Sequence, residues 1–276
     1  GADEPSVSQT SVGKIYLHYR LRNQADSCSE GTWLFCCRLE KTCGRKIPWL
    51  DIKERAVYTE ESRKNCILRM EDIKMRIALI NENSQAAKNG VIYNALKKVA
   101  DQYGFEVDNY GMYTADDACQ LTYVQVGILA AALLNSKAAD YVITGCGTGE
   151  GAMLACNSFP GVICGHVEDA LDAYTFAQIN DGNAIAIPFA KGFGWGGDLN
   201  LEYIFEKLFC EPSGQGYPRE RAVPEQRNKK ILDEVKKHTY NQDLVEIFKS
   251  LDPELVKGTF QGEKFSELFF KNCKDE

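Results

Sequence analysis

A three-layer αβα sandwich is the fold this sequence predicts: a parallel five-stranded sheet, helices on both faces, and extra helices at the C-terminal end. Two observations carry it. From Met75 onward, short apolar runs of strand length alternate with segments of helical period. At one junction, the β-branched run Tyr141-Val142-Ile143-Thr144 passes into GCGTGEG and then into the small residues Ala152 to Ala155, which reads strand, tight glycine turn, helix.

The elements follow in order. RIALIN is a short buried-strand pattern, placing the first strand over Ile77 to Asn81. GVIYNALKKVADQYG repeats apolar residues at helical spacing, giving a helix from Val91 to Tyr103 that stops on Gly104. Glu106 to Asp108 is the second strand and Leu121 to Asn135 the next helix. Tyr141 to Gly145 is the third strand, followed by a helix over Gly151 to Asn157. A strand from Gly161 to His166, a helix from Asp169 to Ile179 and a strand from Ala184 to Pro188 complete the alternation. The glycine-rich AKGFGWGG leads into the C-terminal helices, from about residue 198: Leu199 to Cys210, Glu225 to His238, Asp243 to Leu251 and the amphipathic FSELFFKN.

Composition narrows the function. The 276 residues suffice for one large or two small domains, and 44% hydrophobic with 26% charged residues is ordinary for a globular protein. A net charge of −7 argues against a nucleic-acid partner, and no apolar run reaches the roughly 20 residues of a membrane helix. Eleven cysteines, odd in number and irregular in spacing, read as free thiols in a reducing cytoplasm. With three histidines, and no CxxC pair among Cys28, Cys36, Cys37 and Cys43, no metal centre is expected.

Residues 1–74 differ in character, with no sustained period. The codons of Met70-Glu71-Asp72 can spell GGAGGA, a ribosome-binding sequence placed before Met75. The segment is therefore either a translated leader, poorly structured, or a genuine N-terminal extension. The domain proper is expected over 75–276.

The turn after the third strand is where chemistry is expected. Glycines expose backbone N–H groups above the strand end, and the helix that follows adds positive potential, which suits an anion. Cys146 stands on the lip, and a helix start favours the ionised form of a nearby thiol. An anion cradle with a base beside it suits a small, negatively charged substrate. Parallel sheets bind ligands at the carboxyl ends of their strands, so Asn81, Glu82 and Asn83, the loop Cys146 to Gly151, and His166 are expected to converge.

CGTGEG followed by A-x-N, then Q-x-N-D-x-N at Gln178 to Asn183, with Tyr123 upstream, resembles the type B ribose-5-phosphate isomerase and galactose-6-phosphate isomerase family from Met75 to about Cys210. The resemblance implies a Rossmann-like αβα sandwich, a homodimer or dimer of dimers, and interconversion of an aldose phosphate and a ketose phosphate with no cofactor or metal. It makes Cys146 the base, and sets Thr148 with the amides of Gly147, Gly149, Glu150 and Gly151 around the developing enediolate. Tyr123 and Asn180 become substrate contacts. Arg219, Arg221 and Arg227 become phosphate ligands, partly from the neighbouring subunit.

Two departures stand out. Glu82-Asn83 occupies the place of the family's Asp-His, and Ile179 the place of its ring-opening histidine. Either His166 takes over ring opening or the substrate is open-chain. Two rivals remain. One is a dinucleotide-dependent oxidoreductase, from Gly147-x-Gly149-x-x-Ala152 with Glu168 as ribose acid. The other is a sugar-phosphate sensor without catalysis.

Overall fold

Period-two alternation lays down the sheet. Ile77 and Leu79 point to one face and Ala78 to the other, and Ile185 and Ile187 alternate in the same way with Ala184 and Ala186; all are essentially buried. A computed structural model describes residues 74–274; the expectations for the N-terminal segment, but for Lys74, fall outside them. The strands are β1 (Arg76–Leu79), β2 (Glu106–Asn109), β3 (Tyr141–Cys146), β4 (Cys164–His166) and β5 (Ala184–Pro188). They form one all-parallel sheet in the order β2-β1-β3-β5-β4.

The helices are α1 (Asn89–Ala100), α2 (Tyr123–Asn135), α3 (Glu150–Asn157), α4 (Ala170–Thr175), α5 (Gly197–Phe209), α6 (Ala222–Thr239), α7 (Leu244–Ser250), α8 (Pro253–Thr259) and α9 (Phe265–Asn272). The isoleucine face of the sheet packs on α1, α4 and α5. The alanine face packs on α2 and α3, with residues of α7 to α9 closing over it. The expected three layers and five strands are therefore what the described residues form. No helix among the described residues is long and apolar enough to cross a membrane.

Helix α2 is apolar all round and buries ten of its thirteen residues, as a helix sandwiched between a sheet and further helices must. Small residues let its neighbours approach: a Cβ on Gly127 would fall 2.6 Å from the Ala155 backbone of α3. Its start is held by a capping box, in which Thr122 Oγ1 accepts from Gln125 N and Gln125 Oε1 accepts from Thr122 N. Thr122→Ala is expected to cost about 1 kcal/mol of stability, read by urea unfolding; an unchanged midpoint would show that burial alone fixes this helix start.

Several boundaries differ from the sequence expectation. β4 begins at Cys164 rather than Gly161, because Gly161 turns with φ +73° and Ile163 N is taken by the Asn183 side chain. The helix expected to Ile179 ends its α section at Thr175 and closes in a π turn, Phe176–Asn180, stopped by left-handed Asp181. Three elements went unread: 3₁₀ turns over Asn83–Lys88 and Arg219–Arg221, and α8, although Asp252 caps it and Pro253 opens it.

Candidate active site

In this sheet the chain passes from β1 to β2 on one side and then to β3 on the other, so a crevice opens beyond the carboxyl ends of β1 and β3. From β3 comes Cys146, the last residue of the strand rather than the first of the turn, 8% exposed. Its Sγ lies 4.0 Å from Thr148 Oγ1. Gly149 is the N-cap of α3 at φ +80° and supplies no side-chain cap, so the first amides of α3 lack an intrahelical acceptor and the helix start is open to an anion. Glu150 and Thr148 are exposed and Gly147 and Gly151 half-buried on this loop.

The loop is braced from two sides. Phe189 N donates to Cys146 O at 2.9 Å, and Ala190 N and Lys191 N both donate to Gly147 O, at 3.0 and 2.9 Å. His166, at the end of β4, places Nε2 2.8 Å from Thr148 O. Its Nδ1 is 3.9 Å from Glu168 Oε1, and Glu168 pairs with Lys191 at 2.5 Å. The Lys191 ammonium holds the Glu168 carboxyl below its usual range, and Glu168 raises Lys191 in return. Both are exposed, so the pair adds little to stability. Tyr123 is exposed at the start of α2, its ring 3.3 Å from where a Cβ on Gly151 would sit.

From β1 comes Glu82, 4% exposed, with Oε2 accepting from Ser84 N at 2.9 Å and Oε1 from Ser84 Oγ at 2.5 Å. Asn83 is exposed beside it. Gln85 and Lys88, on the 3₁₀ turn, were not read as site residues. Gln85 Nε2 lies 4.0 Å from the position of a Cβ on Gly147, and Lys88 binds Gln85 Oε1 at 2.7 Å. Their three-residue spacing was the only signal in the sequence.

Thus Glu82, Asn83, Tyr123, Cys146 to Gly151 and His166 gather at the carboxyl edge. Asn180, Arg219, Arg221 and Arg227 do not. Helices α4 and α5 run back against the strands, so the π turn and the 211–217 segment bonded to it fall at the amino edge of the sheet. There Asn183 clasps Ile163 N and Gly161 O, Gln178 Oε1 accepts from Gln215 N, and Asp181 binds Ser213. Gly165 and Gly182 make room for Phe176, whose ring would stand 2.5 and 2.3 Å from a Cβ at those positions. Arg219 pairs with Glu211, Arg221 lies 4.0 Å from Glu225, and Arg227 lines an open groove along α6. The π turn with Asn180, and the segment leading to the arginines, thus lie at the opposite edge of the sheet from Cys146.

A parallel αβα sandwich with a thiol and an open helix start at its switch point defines a class, and the comparisons name it. A model described as ribose/galactose isomerase matches residues 77–199, and one described as ribose-5-phosphate isomerase matches 238–276. A solved 4-deoxy-L-threo-5-hexosulose-uronate ketol-isomerase, complexed with a tartrate, is 62% identical; the match covers 73% of this chain and 94% of that one, with a TM-score of 0.72. A ribose-5-phosphate isomerase from Vibrio parahaemolyticus is 51% identical over 74% of this chain and 95% of its own, with a TM-score of 0.71. The type B ribose 5-phosphate isomerase of Trypanosoma cruzi, at 19% identity and a TM-score of 0.51, shares the fold, over 61% of this chain and 100% of that one. Among curated proteins there is no match. The chain belongs to the ribose/galactose isomerase family and is a sugar isomerase. That membership displaces the oxidoreductase reading of Gly147-x-Gly149.

Proposed function

We propose that this isomerase interconverts an aldose and a ketose through an enediolate, with the Cys146 sulfur as base. The sulfur takes the proton from the carbon beside the carbonyl, the C–H electron pair forms the C=C bond, and the carbonyl oxygen becomes the enediolate oxygen. The hydroxyl proton moves between the two oxygens, and Cys146 returns its proton to the neighbouring carbon. Amides of Gly147, Gly149, Glu150 and Gly151, with the Thr148 hydroxyl, hold the oxygens where charge develops. The observation that carries this reading is a nearly buried cysteine at the end of β3, beside an uncapped helix start. No step calls for a metal or a redox cofactor. A free catalytic thiol suits a reducing, cytoplasmic compartment.

The substrate is a small acidic sugar. For a phosphate, the anion ligands are Arg219, Arg221 and Arg227, with Asn180, brought by a second copy in a homodimer or dimer of dimers. What supports this is their place at the amino edge, and the exposed stripe of Val223, Ile231 and Val235 on α6 beside Arg227. A second reading, a carboxylate sugar, has its own support: the relative at 62% identity is a ketol-isomerase of a keto uronate. Ile179 fits it, since a sugar already open-chain needs no ring-opening histidine.

The deciding experiment follows solvent deuterium into C1 and C2 by NMR for ribose 5-phosphate, a tetrose phosphate and 4-deoxy-L-threo-5-hexosulose-uronate. Exchange with at least one is expected; exchange with none would overturn the isomerisation mechanism. His166 is the loop's brace in this reading. His166→Ala is therefore expected to lower turnover about tenfold on every accepted substrate alike. A loss confined to the ring-forming pentose would make His166 the ring-opening group instead.

A further inference from the structure

The turn after β1 carries a hydrogen-bonded chain that the mechanism above does not use. Lys88 Nζ donates to Gln85 Oε1 at 2.7 Å and to the Phe189 carbonyl, and sits 4.7 Å from the centroid of the Phe193 ring. All three partners are uncharged. Among the described residues Lys88, which is half-buried, makes no ion pair within 4.0 Å. From Gln85 the chain runs on: Nε2 donates to Ser84 Oγ at 3.1 Å, and Ser84 Oγ donates to Glu82 Oε1 at 2.5 Å. A lysine thus stands at one end and a buried carboxyl group at the other, with an amide and a hydroxyl between them.

The placement of the amide matters. Gln85 Nε2 hangs over Gly147, next in sequence to Cys146, and the absence of a side chain there leaves the space between them open. An amide nitrogen has two N–H groups, and Ser84 takes one. A cation bound to the amide oxygen draws electron density from the nitrogen and strengthens the remaining donor, because hydrogen bonds in series polarise one another in a low-dielectric site. The Lys88 bridge to Phe189 also ties this turn to the segment whose amides hold Cys146 O and Gly147 O. An enediolate has two oxygens to satisfy, and the amides of α3 approach from one side only.

We infer that Gln85 is a further catalytic residue of the isomerisation, donating Nε2–H to the enediolate oxygen on the β1 side, and that Lys88 is the positioning residue that orients and polarises it. The inference rests on the enediolate mechanism proposed above. It separates the charge that stabilises the reaction, Lys88 acting through Gln85, from the groups that recognise the substrate's acid end.

The experiment uses the full chain and the sugar that the wild type isomerises, measuring kcat, KM, solvent-deuterium entry and melting temperature. Gln85→Ala is expected to lower kcat about 10²-fold, the loss typical of one oxyanion donor, with KM within about twofold. Gln85→Asn, whose amide is one methylene short, should lose nearly as much while keeping the polarity of the turn. Lys88→Gln keeps neutral donors for Phe189 and Gln85 and removes the charge; kcat is expected to fall about tenfold, and Lys88→Arg to recover most of it. Gln85→Asn with wild-type kcat and melting temperature overturns the assignment. So does Lys88→Gln with kcat kept and KM raised, which would make Lys88 a direct ligand of the substrate's anion. Equal damage in Lys88→Arg and Lys88→Gln would reduce Lys88 to a tether and overturn its polarising role. If the wild type shows no deuterium entry with any sugar, the enediolate reading itself has failed, and that result is distinct from those of the variants.

Discussion

Cys146→Ser is expected to lower kcat about 10³-fold with the melting temperature unchanged. The oxygen occupies the place of the sulfur at the end of β3, in a site already 8% exposed, so packing is kept. What changes is acidity: a serine hydroxyl ionises far less readily than a thiol and cannot hold a carbon-bound proton in exchange without a separate base. Steady-state turnover and solvent-deuterium entry should fall together. A variant that keeps near-wild-type exchange would assign the base elsewhere, with exposed Glu150 on the same loop the first candidate.

Gly149→Ala is expected to damage fold and activity together. Gly149 sits at φ +80°, where an L-residue is strained by roughly 1–2 kcal/mol. A Cβ there would also fall 2.8 Å from His166 Nε2 and 3.0 Å from the Ile187 carbonyl carbon. The histidine can swing away, but only by giving up its contact with Thr148 O; the β5 backbone cannot move. Stability is expected to fall by about 2–3 kcal/mol in urea unfolding, and kcat by about 10²-fold as the loop lifts from its position. Wild-type stability would mean that the loop has room the distances deny it. Stability lost with kcat intact would mean that the cradle does not hold the reacting oxygens.

These effects meet at a loop whose local structure was legible in the sequence. Tyr141 to Thr144 reads as a buried strand because β-branched side chains suit a sheet covered on both faces. The alternating glycines that follow can only be a tight turn. Gly104 marks a helix end and is a left-handed cap in the structure, while the Thr122–Gln125 capping box, which starts α2 two residues after the expected Leu121, went unread. Such signals are local: each depends on residues within one turn or one strand, so they survive without knowledge of the rest of the chain. The seven-residue α8 shows the limit of periodicity, since two turns are too short for a pattern even with Asp252 and Pro253 in place.

Long-range pairing decided the remainder. The order β2-β1-β3-β5-β4 follows from which faces bury together, and no local pattern encodes it. That order gave two motifs of one family pattern opposite positions, with CGTGEG at the carboxyl edge and the Gln178 to Asn183 segment at the amino edge, where its side chains clasp the turn before β4 and the 213–215 turn. It also brought Gln85 and Lys88, ordinary polar residues in sequence, against Gly147 and Phe189, the latter a hundred residues away. The sequence alone determined the elements, the alternation and the thiol at the helix start, because these need only neighbours along the chain. Which polar groups face that thiol was decided by tertiary structure, because the crevice exists only once β1 and β3 lie side by side.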